Sequence, residues 1–264
     1  MDLVYSYTAF FVAYLIGSIS FAVVISKLMG LGDPRTYGSK NPGATNVLRS
    51  GNKVAAVLTL LLDALKGYLP TALVQHYAFE LGFEDTTIAF VGVAAFIGHL
   101  FPVFFKFQGG KGVATAAGVL LAYEPILGGV TLLCWVVVAA IFRYSSLASL
   151  IAAAFAPFFT LMFFDRPSVA LGVSVMSLLL IWRHWRNILK LIQGKESRLG
   201  DKAPEATSDK PRRRRRRVKR LHDEAAPGPD TRSPRPPRFW GNRSPRVSGV
   251  AGGPPCPEWP CTTA

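Results

Sequence analysis

Three polar stretches interrupt an otherwise apolar sequence, and each combines glycine, a cation and small hydrogen-bonding side chains. The first is Gly38-Ser39-Lys40-Asn41-Pro42-Gly43-Ala44-Thr45-Asn46, followed by Arg49. Gly and Pro give a tight, irregular backbone. Ser39, Asn41, Thr45 and Asn46 supply uncharged partners, and Lys40 and Arg49 supply positive charge. That mixture suits a phosphate monoester, which accepts many hydrogen bonds and pairs well with arginine. An ordinary polar turn carrying positive charge explains the loop, taken alone, about as well.

The second stretch is more specific: Gly98-His99-Leu100-Phe101-Pro102-Val103-Phe104-Phe105-Lys106-Phe107-Gln108-Gly109-Gly110-Lys111-Gly112-Val113-Ala114-Thr115. Gly109, Gly110 and Gly112 surround Lys111, and an apolar segment follows at once. Amides exposed at a helix N-terminus form an anion nest. Lys111 adds a full charge, and Thr115 lies one turn into the helix. A nucleotide-hydrolysing loop is excluded, because Gly112 stands where that motif needs Ser or Thr and Phe105 where it needs its first glycine. The third stretch is Arg183-His184-Trp185-Arg186-Asn187-Ile188, then Gly194-Lys195-Glu196. Helical spacing brings Arg183, His184 and Asn187 together. Trp182 and Trp185 suit a membrane interface, with Arg186 and Lys190 as a basic flank.

Other ionisable groups are few. Asp63 and Lys66, three residues apart in an apolar run, are expected to neutralise each other as a structural pair beside the site; direct catalysis is the lesser alternative. Ser146 and Ser149 begin another apolar run and offer hydroxyls near a helix start, where capping also accounts for Ser146. His76 and His222 have no evident partners. Cys134, Cys256 and Cys261 show no metal-ligand spacing, and no carboxylate cluster accompanies the phosphate loops, so no metal or cofactor is expected.

These groups need elements to hold them. The chain has 264 residues, 50% hydrophobic and 17% charged, with a net charge of +14. A soluble domain spends about a quarter of its residues on charge, so a simple globular enzyme is excluded. Residues 1–200 hold 9 acidic and 15 basic side chains, whereas 201–264 hold 7 and 15 with 12 of the 19 prolines. The expected organisation is therefore a membrane domain over 1–199 and a disordered, basic, Pro/Arg-rich tail over 200–264. Residues 212–217 are all arginine, a block suited to anionic lipid headgroups; RNA binding and the absence of any role are alternatives, and no nucleic-acid partner is expected. Seven apolar segments are predicted to form transmembrane helices: 3–26, 54–77, 86–105, 113–123, 126–142, 147–164 and 168–182. The fourth is short for a crossing. The first is too long, and its flank too acidic, for a cleaved signal peptide.

Charge sets the orientation. With the N-terminus outside and the C-terminus cytoplasmic, inside segments carry 13 of the 15 basic residues of 1–200, as the positive-inside rule requires. Every long polar connection then faces the cytoplasm. A transporter needs access from both sides and binding groups near the midplane; groups crowded at one interface favour an enzyme at the membrane surface. Transport of a phosphorylated solute is the rival reading.

In order and topology, these motifs resemble those of the bacterial acyl-phosphate-dependent glycerol-3-phosphate acyltransferases, the PlsY family. Leu62-Asp63 with Leu65-Lys66-Gly67, and Arg143-Tyr144-Ser145-Ser146-Leu147, also fit the family pattern, and the likeness covers about residues 10–199. Lys40 departs from it, standing where the family usually has glycine. The resemblance implies a seven-helix, all-α enzyme of the bacterial cytoplasmic (inner) membrane, its active site facing the cytoplasm. It implies transfer of a fatty acyl group from acyl-phosphate to the 1-hydroxyl of glycerol 3-phosphate, yielding lysophosphatidic acid and inorganic phosphate for phospholipid synthesis. The implied partners are those two substrates and membrane lipids.

Within that expectation Ser39, Arg49, Lys111, His184 and Asn187 form the catalytic set. Lys111, the glycine amides and Ser39 hold the acyl-phosphate head, while Arg49 and Asn187 orient glycerol 3-phosphate. Asn41, Thr45, Asn46, Gly109, Gly110, Gly112, Thr115, Ser146 and Ser149 serve phosphate binding, and Asp63, Lys66, His99 and Glu196 support them. The base is His184 or a substrate phosphate oxygen. The His and Asp five positions apart of thioester-dependent glycerolipid acyltransferases is missing: Phe104, Leu189, Leu81 and Pro227 stand at those positions after the four histidines. An acyl-phosphate is already activated, so direct transfer through orientation and charge stabilisation is expected.

Overall fold

Apolar runs punctuated by Gly, Pro and short polar turns fold here as helices. The computed structural model describes residues 2–199, in which there is no strand; the predicted basic tail and its lipid contact lie outside the described residues. The helices are α1 (Asp2–Gly17), α2 (Phe21–Leu28), α3 (Ala44–Leu48), α4 (Lys53–His76), α5 (Ala78–Leu81), α6 (Asp85–Leu100), α7 (Val113–Tyr123), α8 (Pro125–Phe142), α9 (Ser145–Phe163), α10 (Pro167–Arg183) and α11 (Trp185–Ile192). A single 3-10 turn, Val103–Phe105, follows α6. Local chemistry sets several starts. The Asn52 side chain accepts the Ala55 N–H at 2.9 Å, capping α4, and Pro125 and Pro167 sit in the first turns of α8 and α10, where a missing N–H costs nothing.

Buried side chains from α6, including Val93, Phe96 and Leu100, pack with Val119, Leu120 and Tyr123 of α7 and with Val173 and Met176 of α10. Contact between α4 and α7 is closest. A Cβ on Gly67 would lie 2.3 Å from the Thr115 carbonyl oxygen, and one on Gly118 1.9 Å from that of Ala64. Only glycine permits two backbones this near, the small-residue packing of membrane helices. Outward faces remain apolar: Leu133, Val136, Val137 and Ile141 of α8 are exposed, a surface suited to hydrocarbon.

Each predicted apolar segment coincides with helix, but the first and third are interrupted: within 86–105, α6 ends at Leu100 and the 3-10 turn follows. The first segment breaks after α1 and resumes as α2 with a bend of 42°. The break frees the Ile19 carbonyl, which accepts from Lys66 Nζ at 2.7 Å, so the unpaired backbone group is satisfied internally. Helix α10 bends by 56° into α11 at His184. Helix α7 has 11 residues, roughly 17 Å at 1.5 Å per residue, well short of a hydrocarbon core of about 30 Å. Among the described residues, four helices are by length and composition able to cross a membrane, or six when each bent pair counts once.

Candidate active site

One cavity of about 620 Å³ collects the polar groups of all three stretches. Ser39, Asn41, Thr45, Asn46 and Arg49 line it from the first, Lys111 and Gly112 from the second, and His184, Asn187 and Glu196 from the third. Ser146, Ser149, Asp63 and His99 also reach it. The five candidate catalytic residues, distributed over nearly 150 positions of chain, thus share one space. Beyond the polar end the wall turns apolar, with Val57, Leu60, Leu120, Leu132, Trp135, Met176 and Leu180. A charged mouth continuous with an apolar recess fits an amphiphile.

The first stretch is held by Asn46. Its buried carboxamide accepts the Ser39 N–H at 2.9 Å and donates to the Pro34 and Tyr37 carbonyls at 2.6 and 3.2 Å. With its amide group so committed, Asn46 shapes the loop instead of offering the expected phosphate contact. Arg49, at the end of α3, donates to the Ser197 hydroxyl. Lys40 lies outside the cavity lining with φ at +56°, the left-handed region that glycine enters freely and other residues enter at a cost. Backbone geometry therefore accounts for a glycine-preferring position. Lys40→Gly is expected to raise stability by about 1 kcal/mol without changing the KM of substrate; a lower unfolding midpoint in detergent would contradict this.

The glycine stretch is anchored differently from expectation. Gly109, Gly110 and Thr115 are absent from the cavity lining. The Gly110 N–H donates to the His99 carbonyl at 3.1 Å, so it is not part of an open anion nest. A Cβ on Gly109 would lie 2.2 Å from the His99 carbonyl oxygen, and one on Gly110 2.1 Å from His99 Nε2. Close packing, therefore, is what requires glycine at both positions. Arg183 clamps the same loop, donating to the Gly109 carbonyl at 2.9 Å and the Gly110 carbonyl at 3.0 Å. Thr115 is likewise structural, donating to the Asp63 carbonyl at 2.9 Å and lying 3.2 Å from His99 Nδ1. The expected Asp63–Lys66 ion pair is present at 2.7 Å and fully buried, with Lys66 behind the cavity wall.

Lys111 and Gly112 are what remain of the stretch for a ligand. Lys111 Nζ donates to Asn187 Oδ1 at 2.6 Å. The Asn187 amide donates to Glu196 Oε1 at 2.6 Å, and Ser146 donates to that oxygen at 2.7 Å. Glu196 thus fixes Asn187 with its oxygen turned toward the lysine. Burial pushes the Lys111 ammonium down to about 8, against the attraction of Glu196, so it is still mainly charged at neutral pH. Ser149 donates to the Ser145 carbonyl at 2.8 Å and accepts from the Trp135 indole at 3.0 Å, a steering role for the cavity wall that its spacing did not suggest.

His184 occupies the break between α10 and α11. Its Nδ1 lies 2.8 Å from the Leu180 carbonyl, which only accepts, so Nδ1 carries the proton and Nε2 is the ring acceptor. Burial and the Lys111 charge push His184 down to about 4; it is neutral at pH 7. The arrangement provides two full cations, Arg49 and Lys111, a neutral acceptor and an apolar recess.

Residues 7–194 match the family described as glycerol-3-phosphate acyltransferase. A glycerol-3-phosphate acyltransferase of Paraburkholderia phytofirmans is 62% identical over 200 residues, 76% of this chain and 94% of the relative. One from Burkholderia orbicola is 63% identical over 194 residues, 72% of this chain and 91% of the relative. Among solved structures, PlsY (YgiH), an integral membrane glycerol 3-phosphate acyltransferase in its glycerol 3-phosphate form, superposes with a TM-score of 0.69 at 40% identity, covering 74% of this chain and 96% of its own. Its lysophosphatidic acid form gives 0.68 at 39%. Together with a cavity that combines cationic and apolar walls, these likenesses show that the chain belongs to the glycerol-3-phosphate acyltransferase family.

Proposed function

We propose that this chain transfers a fatty acyl group from acyl-phosphate to the 1-hydroxyl of glycerol 3-phosphate, releasing lysophosphatidic acid and inorganic phosphate. The supporting observation is one cavity in which Arg49 and Lys111 share the polar end and an apolar recess continues from it. Two phosphates require two cationic positions, and an acyl chain requires the recess. Lys111 and Ser39 take the acyl-phosphate head; Arg49, with Asn187, takes glycerol 3-phosphate. The hydroxyl oxygen forms a bond to the acyl carbon, and the bond from that carbon to the phosphate oxygen breaks. His184 Nε2 accepts a hydrogen bond from the attacking hydroxyl and orients it. A nitrogen with a pKa near 4 is a weak base, so the proton passes to an oxygen of the departing phosphate. Lys111 stabilises the charge developing there.

The charge asymmetry supports a seven-crossing arrangement with the N-terminus outside, the C-terminus and cavity mouth cytoplasmic, in the bacterial inner membrane. The donor is tested on detergent-purified protein with glycerol 3-phosphate and palmitoyl-phosphate, palmitoyl-CoA or an acyl carrier protein thioester. Phosphate and lysophosphatidic acid from the first donor alone are expected. Turnover with a thioester only would overturn the donor and the mechanism, and glycerol 3-phosphate binding without turnover on any donor would favour transport.

A further inference from the structure

Helix α11 has three distinct sides. Asn187, Ile188 and Leu191 turn toward the protein and are partly buried. Trp185, Leu189 and Ile192, spaced i, i+4 and i+7, are 53%, 45% and 78% exposed, and they continue the exposed apolar surface of Leu178 and Trp182 on α10. Between these sides lie Arg186 and Lys190, one turn apart and exposed, with the Arg186 guanidinium 5.9 Å from the Trp185 ring. Neither makes an ion pair among the described residues. An apolar face edged by free cations, at a 56° bend from a membrane helix, has the composition of a helix lying in a lipid interface.

We propose that α11 lies in the cytoplasmic membrane interface, that Arg186 and Lys190 take the headgroup of an anionic phospholipid, and that this occupancy strengthens the charge Lys111 presents to phosphate. The inference rests on the topology and phosphate role proposed above. Continuity with the apolar face of α10 and complementary charge identify the occupant as lipid. The link to the site is electrostatic. The groups acting on Lys111 are Glu196 after α11, which favours its charge, and Lys190 of α11, Arg49 after α3 and Arg183 of α10, which oppose it; Asn187 accepts its hydrogen bond and His184 beside it is neutral. An anion on Lys190 offsets one of the three repulsions. Lys111 then stays protonated to higher pH, and the alkaline fall in kcat/KM moves upward.

The test uses the full chain and its R186Q/K190Q variant in vesicles of phosphatidylcholine, with and without phosphatidylglycerol. Phosphatidylglycerol is expected to raise the alkaline midpoint of kcat/KM by roughly half a pH unit more in the unaltered chain than in the variant, the scale of one partly solvated charge. In phosphatidylcholine alone the variant is expected to sit above the unaltered chain. Equal shifts in both chains would mark a general surface-potential effect and overturn the proposal. A second readout needs no turnover. Trp185 fluorescence, isolated by subtracting W185F, is expected to be quenched more by brominated phosphatidylglycerol than by brominated phosphatidylcholine at equal mole fraction, a difference that R186Q/K190Q abolishes. Equal quenching by both lipids overturns the headgroup site. Selective quenching in a chain with no acyl transfer supports the site and overturns the proposed reaction instead.

Discussion

Lys111→Ala is expected to lower turnover by on the order of 10²–10³-fold while the protein stays folded in detergent. The lysine stands at the start of α7 with a single hydrogen-bond partner, Asn187 Oδ1 at 2.6 Å, so its removal breaks no ion pair and opens no packed core. Its loss takes a full charge from a half-buried cavity, where a charge acts more strongly than in water. The same residue sets a pH dependence. Its pKa, held down to about 8 by burial, lies within the working range, and the charged form is the one proposed to bind phosphate. As pH rises through 8 the ammonium is lost, so kcat/KM falls on the alkaline side. Near-normal activity in the alanine variant with an unchanged unfolding profile would remove Lys111 from the chemistry.

Asp63→Ala acts on the framework instead, and is expected to cost about 3–5 kcal/mol of stability. The cause is the charge left behind: Lys66 is buried, and without Asp63 its ammonium keeps no counter-charge, only the Ile19 carbonyl at 2.7 Å and the Phe21 ring at 5.7 Å. Asp63 also lies 3.7 Å from His99, whose carbonyl holds Gly110, so the glycine loop loosens with it. Removing both charges by Asp63→Leu with Lys66→Met is expected to recover much of the loss, because paired buried charges exchange for apolar groups at little cost. Thermal unfolding in detergent measures both. A single-variant loss under about 1 kcal/mol would mean that solvent reaches the pair and that α4 is held by packing alone.

The residues show which features were legible in the sequence. The Asp63–Lys66 pair follows from two opposite charges at helical spacing in an apolar run, and the helices follow from the length of such runs. Gathering of Ser39, Arg49, Lys111, His184 and Asn187 follows from the charge asymmetry, which assigns all their connections to one side of a membrane. Partners set by tertiary geometry were not legible. Ser146 and Glu196 are 50 positions apart, joined by a 2.7 Å hydrogen bond, and nothing in their spacing announces it. Gly109 and Gly110 read as an anion nest because exposed amides and tight packing demand the same residue type; only the approach to His99 distinguishes them. Asn46 looked like a ligand for phosphate because a polar side chain reads alike whether it meets substrate or its own loop. The break between α1 and α2 likewise depends on Lys66, which satisfies a carbonyl 47 residues away.

Direct transfer within one cavity is tested most simply by the timing of phosphate release. Purified enzyme is mixed rapidly with palmitoyl-phosphate, with or without glycerol 3-phosphate, and phosphate is followed through the first turnover. The expected result is no phosphate without glycerol 3-phosphate and, with it, one phosphate for each lysophosphatidic acid formed. A burst equal to the enzyme present when the acceptor is absent, with the acyl group retained on the protein, would contradict one-step transfer and require a covalent intermediate.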